Sequence, residues 1–201
     1  MTATAGLVLA AGEGRRFGGP KAPYVVDGER LVDRAVRVLR AAGCDPVVVV
    51  LGAWVGEVPG ADVVVNDGWA RGMGSSLRVG LEHLEARSAA DRVVVTLVDL
   101  PGLTPDAVRR LVAAGPTRPG AEPEPADPRE ALAAATYAGV RGHPVLLGRA
   151  HWAGVVATAV GDRGARDYLA EHPVRLVEVG DVATGADLDL PPSPSPGSEL
   201  P

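Results

Sequence analysis

The 201-residue sequence has one cysteine, one phenylalanine, three tyrosines and three tryptophans. A single cysteine excludes an intrachain disulfide. Cys44, at the end of a helical stretch, reads as a small buried side chain rather than a nucleophile. With 46% hydrophobic residues but almost no aromatics, the core must be built from Val, Leu and Ala. Positive charge is also scarce: the net charge is −5, which argues against a nucleic-acid or anionic-membrane surface. No segment approaches the ~20 apolar residues of a membrane span, and the N-terminal run lacks the cationic flank of a signal peptide. The default expectation is a cytoplasmic protein. A chain of this length buries enough surface to fold without a metal staple.

What is present is concentrated near the N-terminus. A buried-strand run from Gly6 to Ala11 empties into a loop bearing Gly12, Gly14, Gly18 and Gly19 together with Arg15, Arg16 and Lys21. Glycines let the backbone approach a ligand, successive N–H groups form an anion-binding concavity, and the cations suit phosphate oxygens. The spacing is neither the dinucleotide fingerprint, whose third glycine would come one residue earlier, nor a P-loop, since Pro20 precedes Lys21 and no hydroxyl follows it. The two readings open at this point are a triphosphate cradle and a surface turn with solvated charges.

Strand signals recur at Pro46–Leu51, Asp62–Asn66, Arg92–Val98, Leu132–Tyr137, Pro144–Leu147 and Val174–Val179. Helical spacing covers Arg30–Ala42, Ser75–Ala86, Thr104–Ala114, Arg149–Val160 and Ala165–Glu171. The alternation predicts a three-layer α/β fold with a mainly parallel, mixed sheet. One domain is expected over residues 1–190, with an exposed Pro- and Glu-rich loop at 116–130 and a disordered tail at 191–201.

The first loop, Leu9-Ala10-Ala11-Gly12-x-Gly14-x-Arg16-Phe17-Gly18-x-Pro20-Lys21, resembles the signature of nucleotidyltransferases that join a nucleoside triphosphate to a phosphorylated acceptor. Within them it is most similar to the molybdenum cofactor cytidylyltransferase branch of the MobA-like NTP transferases. The resemblance implies a Rossmann-like nucleotidyltransferase fold and a magnesium-dependent transfer. The substrates it implies are CTP, favoured by Ala11 over the Leu-Ala-Gly-Gly of guanylyl enzymes, and an acceptor of the molybdopterin type. A molybdoenzyme or its chaperone would be the downstream partner.

The same resemblance assigns roles. Leu9, Ala10, Ala11, Gly12, Gly14 and Lys21 bind the nucleotide, and Lys21 with Arg15 or Arg16 neutralises the departing pyrophosphate. Asn66, Gly72, Ser75 and Ser76 lie in a stretch similar to the family's Asn-x-x-Trp-x-x-Gly-Met-x-x-Ser-Leu segment; read alone, that stretch is equally an ordinary capped loop. Val98-Asp99-Leu100-Pro101 matches a metal-binding Asp-x-Pro motif, although an isolated Asp there is also a turn former. Asp189 takes the second Mg²⁺ position in place of Asp187, and Leu190 stands where the family has threonine. Arg141, His143, Arg163 and Arg166, in loops resembling Gly-His-Pro-Val and Gly-Asp-x-Gly-Ala-Arg, form the acceptor pocket, against readings as turn and surface residues. Two alternatives remain: a cytidylyl- or uridylyltransferase acting on a sugar or polyol phosphate, and a non-catalytic nucleotide-binding module.

Overall fold

A computed structural model describes residues 2–114 and 127–189. Seven strands form one sheet: β1 (Thr4–Leu9), β4 (Val47–Leu51), β5 (Asp62–Val65), β6 (Arg92–Leu97), β7 (Leu132–Tyr137), β8 (Val140–Gly148) and β9 (Arg175–Glu178), in the order β5-β4-β1-β6-β8-β7-β9. β5, β4, β1 and β6 run parallel, with Leu9 beside Val50 on one side and Leu97 on the other. β8 is antiparallel to β6 and β7, and β9 is parallel to β7. The sheet is therefore mixed and mostly parallel.

Helices α1 (Leu31–Ala41) and α3 (Pro105–Ala113) cover one face. α2 (Met73–Arg87), α4 (Arg149–Thr158) and α5 (Arg166–Ala170) cover the other. Every residue of β1 and β4 is buried, as expected of strands packed on both sides. Alternation splits β1 between two cores: Val8 packs with Leu31, Val32 and Leu39 of α1, and Leu7 with Leu77 and Leu81 of α2. Gly80 permits the second contact, because a Cβ there would stand 2.5 Å from Leu7 Cδ1.

Three local features went unpredicted. Arg30 belongs to a small hairpin, β2 (Val25–Val26) with β3 (Glu29–Arg30), and not to α1. Its turn is Asp27-Gly28, both at positive φ, which is the strongest short hairpin signal in a sequence. β8 begins four residues before Pro144, joined to β7 by Ala138-Gly139 at positive φ. α2 begins at Met73 rather than Ser75. Of the expected loop at 116–130, residues 116–126 lie outside the described residues. Its last part is a 3₁₀ turn, Pro128–Glu130, capped by Asp127 accepting from the Arg129 N–H. Leu190 and the tail from 191 also lie outside the described residues.

Candidate active site at the carboxyl edge of the sheet

The parallel strands β5, β4, β1 and β6 end at one edge of the sheet, and the loops that follow β1, β5 and β6 line a cleft of about 460 Å³. The glycine loop forms one wall. Gly14, at φ +62°, turns the chain so that its carbonyl accepts from the N–H groups of Phe17, Gly18 and Gly19 at 2.9, 2.9 and 3.2 Å. Those three donors are therefore consumed by the loop itself. The N–H groups of residues 12–16 have no acceptor among the described residues, and Gly12 and Gly14 line the cleft. The base of the loop is fixed by Phe17, which is buried edge-on against Tyr24 at 4.6 Å, and by buried Ala22.

Lys21 projects from this base to the end of β6. Its Nζ lies 2.8 Å from Asp99 Oδ2 and 3.7 Å from Asp189 Oδ1. Asp189 is far away in sequence, and a strap after β9 delivers it. Thr104 donates to Val182 O at 3.0 Å, Thr184 packs against Gly102, and the Leu188 N–H donates to Asp99 O at 2.9 Å. The same strap presents Asp187. Burial first, and then the carboxylates of Asp99 and Asp189, push the Asp187 carboxyl above its ordinary range, with Lys21 opposing them.

One ammonium thus faces three carboxylates, and Asp99 Oδ1 is buried with no hydrogen-bond partner. An orphaned carboxylate oxygen within surplus negative charge suits a hard dication. Among the described residues no three His, Cys, Asp or Glu side chains form a ready cage. That matches magnesium or manganese held by one or two carboxylates and completed by water and phosphate oxygens. Asp99, with Asp189 or Asp187, would hold it.

The other wall is the segment after β5. Buried Asn66 donates to Ser75 Oγ (2.9 Å) and Ser76 Oγ (3.0 Å) and accepts from the Gly68 N–H (2.9 Å). Ser75 in turn donates to backbone carbonyls of its own loop. Asn66 and Ser75 therefore shape the loop from behind. Gly72 and Ser76 reach the cleft surface, with Trp69, Arg71 and Met73. α2 has no side-chain cap of its own. Instead Asp162 accepts from the Met73 N–H at 3.3 Å, and a Cβ on Gly72 would stand 2.5 Å from the Gly161 carbonyl carbon.

Leu9, Ala10, Ala11, Gly12, Gly14, Arg15, Lys21, Gly72, Ser76 and Asp99 thus share one cleft. Arg16 is exposed outside it. The acceptor candidates divide. His143 is half-buried, and desolvation pushes it down to about 4, against the Asp99 carboxylate and with Arg141 and Arg166 adding to the fall. Those four groups therefore share one electrostatic neighbourhood. Arg163 is instead paired with Asp167 at 2.6 Å on the surface. Sequence reasoning assigned no role to Trp69, Arg71, Met73 or Asp162. Trp69 and Met73 fall within the Asn-x-x-Trp-x-x-Gly-Met-x-x-Ser-Leu segment and Asp162 within Gly-Asp-x-Gly-Ala-Arg, while Arg71 occupies an unspecified position before Gly72. Cys44 is buried, its thiol pushed up to about 12, which fits the structural role expected of it. Among the described residues no helix is long and apolar enough to cross a membrane.

Residues 6–176 match the MobA-like NTP transferase domain family. The chain is 36% identical over 200 residues to the nicotine blue oxidoreductase of Paenarthrobacter nicotinovorans, covering 92% of this chain and 91% of that one. It is 38% identical over 109 residues to a probable molybdenum cofactor guanylyltransferase of Opitutus terrae, covering 51% and 50% of the two chains. Rv0371c of Mycobacterium tuberculosis superposes with a TM-score of 0.70 at 29% identity (92% and 93% covered). A manganese complex of Rv0371c superposes at 0.68, with 29% identity and coverage of 92% and 94%. A nucleotidyl transferase of Methanothermobacter thermautotroptrophicus shares the fold, with a TM-score of 0.71 at 21% identity (89% and 88% covered). The sheet described above is the Rossmann-like nucleotidyltransferase architecture.

Proposed function

Because the chain belongs to the MobA-like NTP transferase family, we propose that it transfers a nucleotidyl group from a nucleoside triphosphate to a phosphorylated acceptor, releasing pyrophosphate. The observation that carries this reading is Lys21, held between Asp99 and Asp189 at the foot of a loop with free N–H groups. An oxygen of the acceptor phosphate attacks the α-phosphorus; the new P–O bond forms as the bond to the β-phosphate breaks. The nucleophile is already anionic, so no protein base is required, and positioning and charge neutralisation supply the rate. The N–H groups of residues 12–16 and the Lys21 ammonium hold the phosphates that leave. A divalent ion on Asp99, by preference Mg²⁺, supplies Lewis-acid polarisation and a template.

CTP is the favoured donor, since the Ala11 methyl stands where guanylyl-type loops carry glycine and is buried against Gly52 and the cleft wall. A relative named a guanylyltransferase makes GTP the rival. A molybdopterin-type phosphate is the proposed acceptor. The deciding measurement is pyrophosphate release with CTP or GTP, Mg²⁺ and molybdopterin. Lys21→Ala and Asp99→Ala should each lower turnover by about 100-fold or more with the melting transition retained. Normal turnover in either variant refutes the assignment.

A second reading follows from the oxidoreductase relative, whose likeness runs along nearly the whole chain. Cys44 is buried, its thiol pushed up to about 12, so this reading draws its electrons from a reduced nicotinamide bound in the same cleft. A thermal-shift panel of CTP, GTP, NADH and NADPH, with and without Mg²⁺, separates the two. Stabilisation by a reduced nicotinamide and not by triphosphates would favour the redox reading.

A further inference from the structure

Lys21, Arg15 and Arg71 are the described cations that line the cleft. Lys21 is paired with Asp99 and Asp189, and Arg15 with Glu13. The Arg71 guanidinium has no carboxylate partner and no hydrogen-bond acceptor among the described residues. Arg71 is exposed, and its guanidinium has one defined neighbour. It ends the 3₁₀ turn Trp69–Arg71 and lies back over Gly68, where an added Cβ would stand 2.6 Å from Nη2 and 2.8 Å from Nε. Glycine at 68 therefore leaves the space that the guanidinium fills.

Trp69, Met73 and Leu97 contribute apolar surface to the same cleft lining, beside the polar Ser76 and Asp162. Such a surface suits a planar ring better than a phosphate. The phosphates already have donors on the opposite wall, in the free N–H groups of the glycine loop and in Lys21. An arginine fork offers donors only, in a rigid plane that matches two acceptors side by side. Cytosine presents such a pair in N3 and O2, and guanine in O6 and N7. Adenine sets an amine beside N7 and N1, and uracil sets its N3–H between its two carbonyls.

We propose that Arg71 reads the base, admitting CTP or GTP and rejecting ATP and UTP. This deepens the nucleoside triphosphate reading above and rests on it. The test titrates CTP, GTP, ATP and UTP, each with Mg²⁺, into the wild-type protein, Arg71→Met and Gly68→Ala, following heat or tryptophan fluorescence. In the wild type CTP or GTP should bind at least about tenfold tighter than ATP and UTP. Arg71→Met should compress that spread to within about threefold while leaving ATP and UTP affinity unchanged. Gly68→Ala, which displaces the guanidinium without deleting it, should compress the spread in the same direction.

Equal weakening of all four nucleotides by Arg71→Met would make it a phosphate contact and overturn the proposal. So would an unchanged spread in that variant, or a wild type that binds all four alike. Failure of every triphosphate to bind the wild type would instead bring down the nucleotide reading, and the Arg71 role with it.

Discussion

A methyl group added at Gly12 meets no protein atom within 4 Å, whereas one added at Gly14 runs into the carbonyl oxygen of Gly19. Two glycines of one motif therefore serve different ends, and two substitutions separate them. Gly12→Ala should melt like the wild type yet lose at least about tenfold in triphosphate affinity, because its Cβ intrudes only where a ligand would lie. Gly14→Ala, at positive φ and with a backbone clash, should lose stability by about 1–3 kcal/mol or more in urea titrations. His143 gives a pH dependence at the same scale. Its folded pKa is about 4 against an ordinary 6.5, so between those values the unfolded chain binds the extra proton. Its contribution is fully present above pH 6.5 and is lost as the pH falls towards 4, by on the order of 1–3 kcal/mol. His143→Gln should flatten the decline in melting temperature between pH 7 and pH 4.5; an equally steep decline would remove His143 as its cause.

Elements were legible in proportion to how local their signals were. The Val47–Leu51 and Arg92–Leu97 runs could only be strands covered on both faces, and Thr104-Pro105 announced α3 correctly. α2 was read two residues short because its cap lies in Asp162, 89 residues away, which no local pattern displays. The Asp27-Gly28 turn carries a local hairpin signal, but at Arg30 it overlaps the helical spacing of α1, of which Arg30 is the N-cap. Thr104 shows how an element end also serves the site. Its Oγ1 accepts from the Ala107 N–H at 3.2 Å and donates to Val182 O at 3.0 Å, joining the start of α3 to the strap. Thr104→Ala should cost about 1–2 kcal/mol and raise the metal concentration needed for half-maximal turnover, while Thr104→Ser restores both. A stability loss with an unchanged metal requirement would confine Thr104 to capping.

Across the molecule, the glycine loop and Asp99 were readable because each sits directly after a buried strand. The assembly around them was not: Arg141, His143, Arg163 and Arg166 looked alike in sequence, yet Arg163 is spent on a surface pair with Asp167. The strap is the least local part, crossing from β9 to bring Asp187 and Asp189 beside Lys21. A chain ending at Gly185 keeps Val182, Ala183 and Thr184 in place but removes both acids. It should fold with a cooperative transition and still bind triphosphate, with metal-dependent turnover reduced by about 100-fold or more. Full turnover in the shortened chain would show the strap acids to be dispensable.

Lys21 also has a consequence for the order of events in the proposed reaction. With its ammonium lodged among acids, the free molecule carries its own counterion. Bare triphosphate approaching that corner meets three carboxylates around one ammonium, a net negative charge that opposes it. A dication held by Asp99 would offset that charge and leave the Lys21 ammonium available to phosphate oxygens. The corner would therefore take triphosphate accompanied by its metal more readily than triphosphate alone.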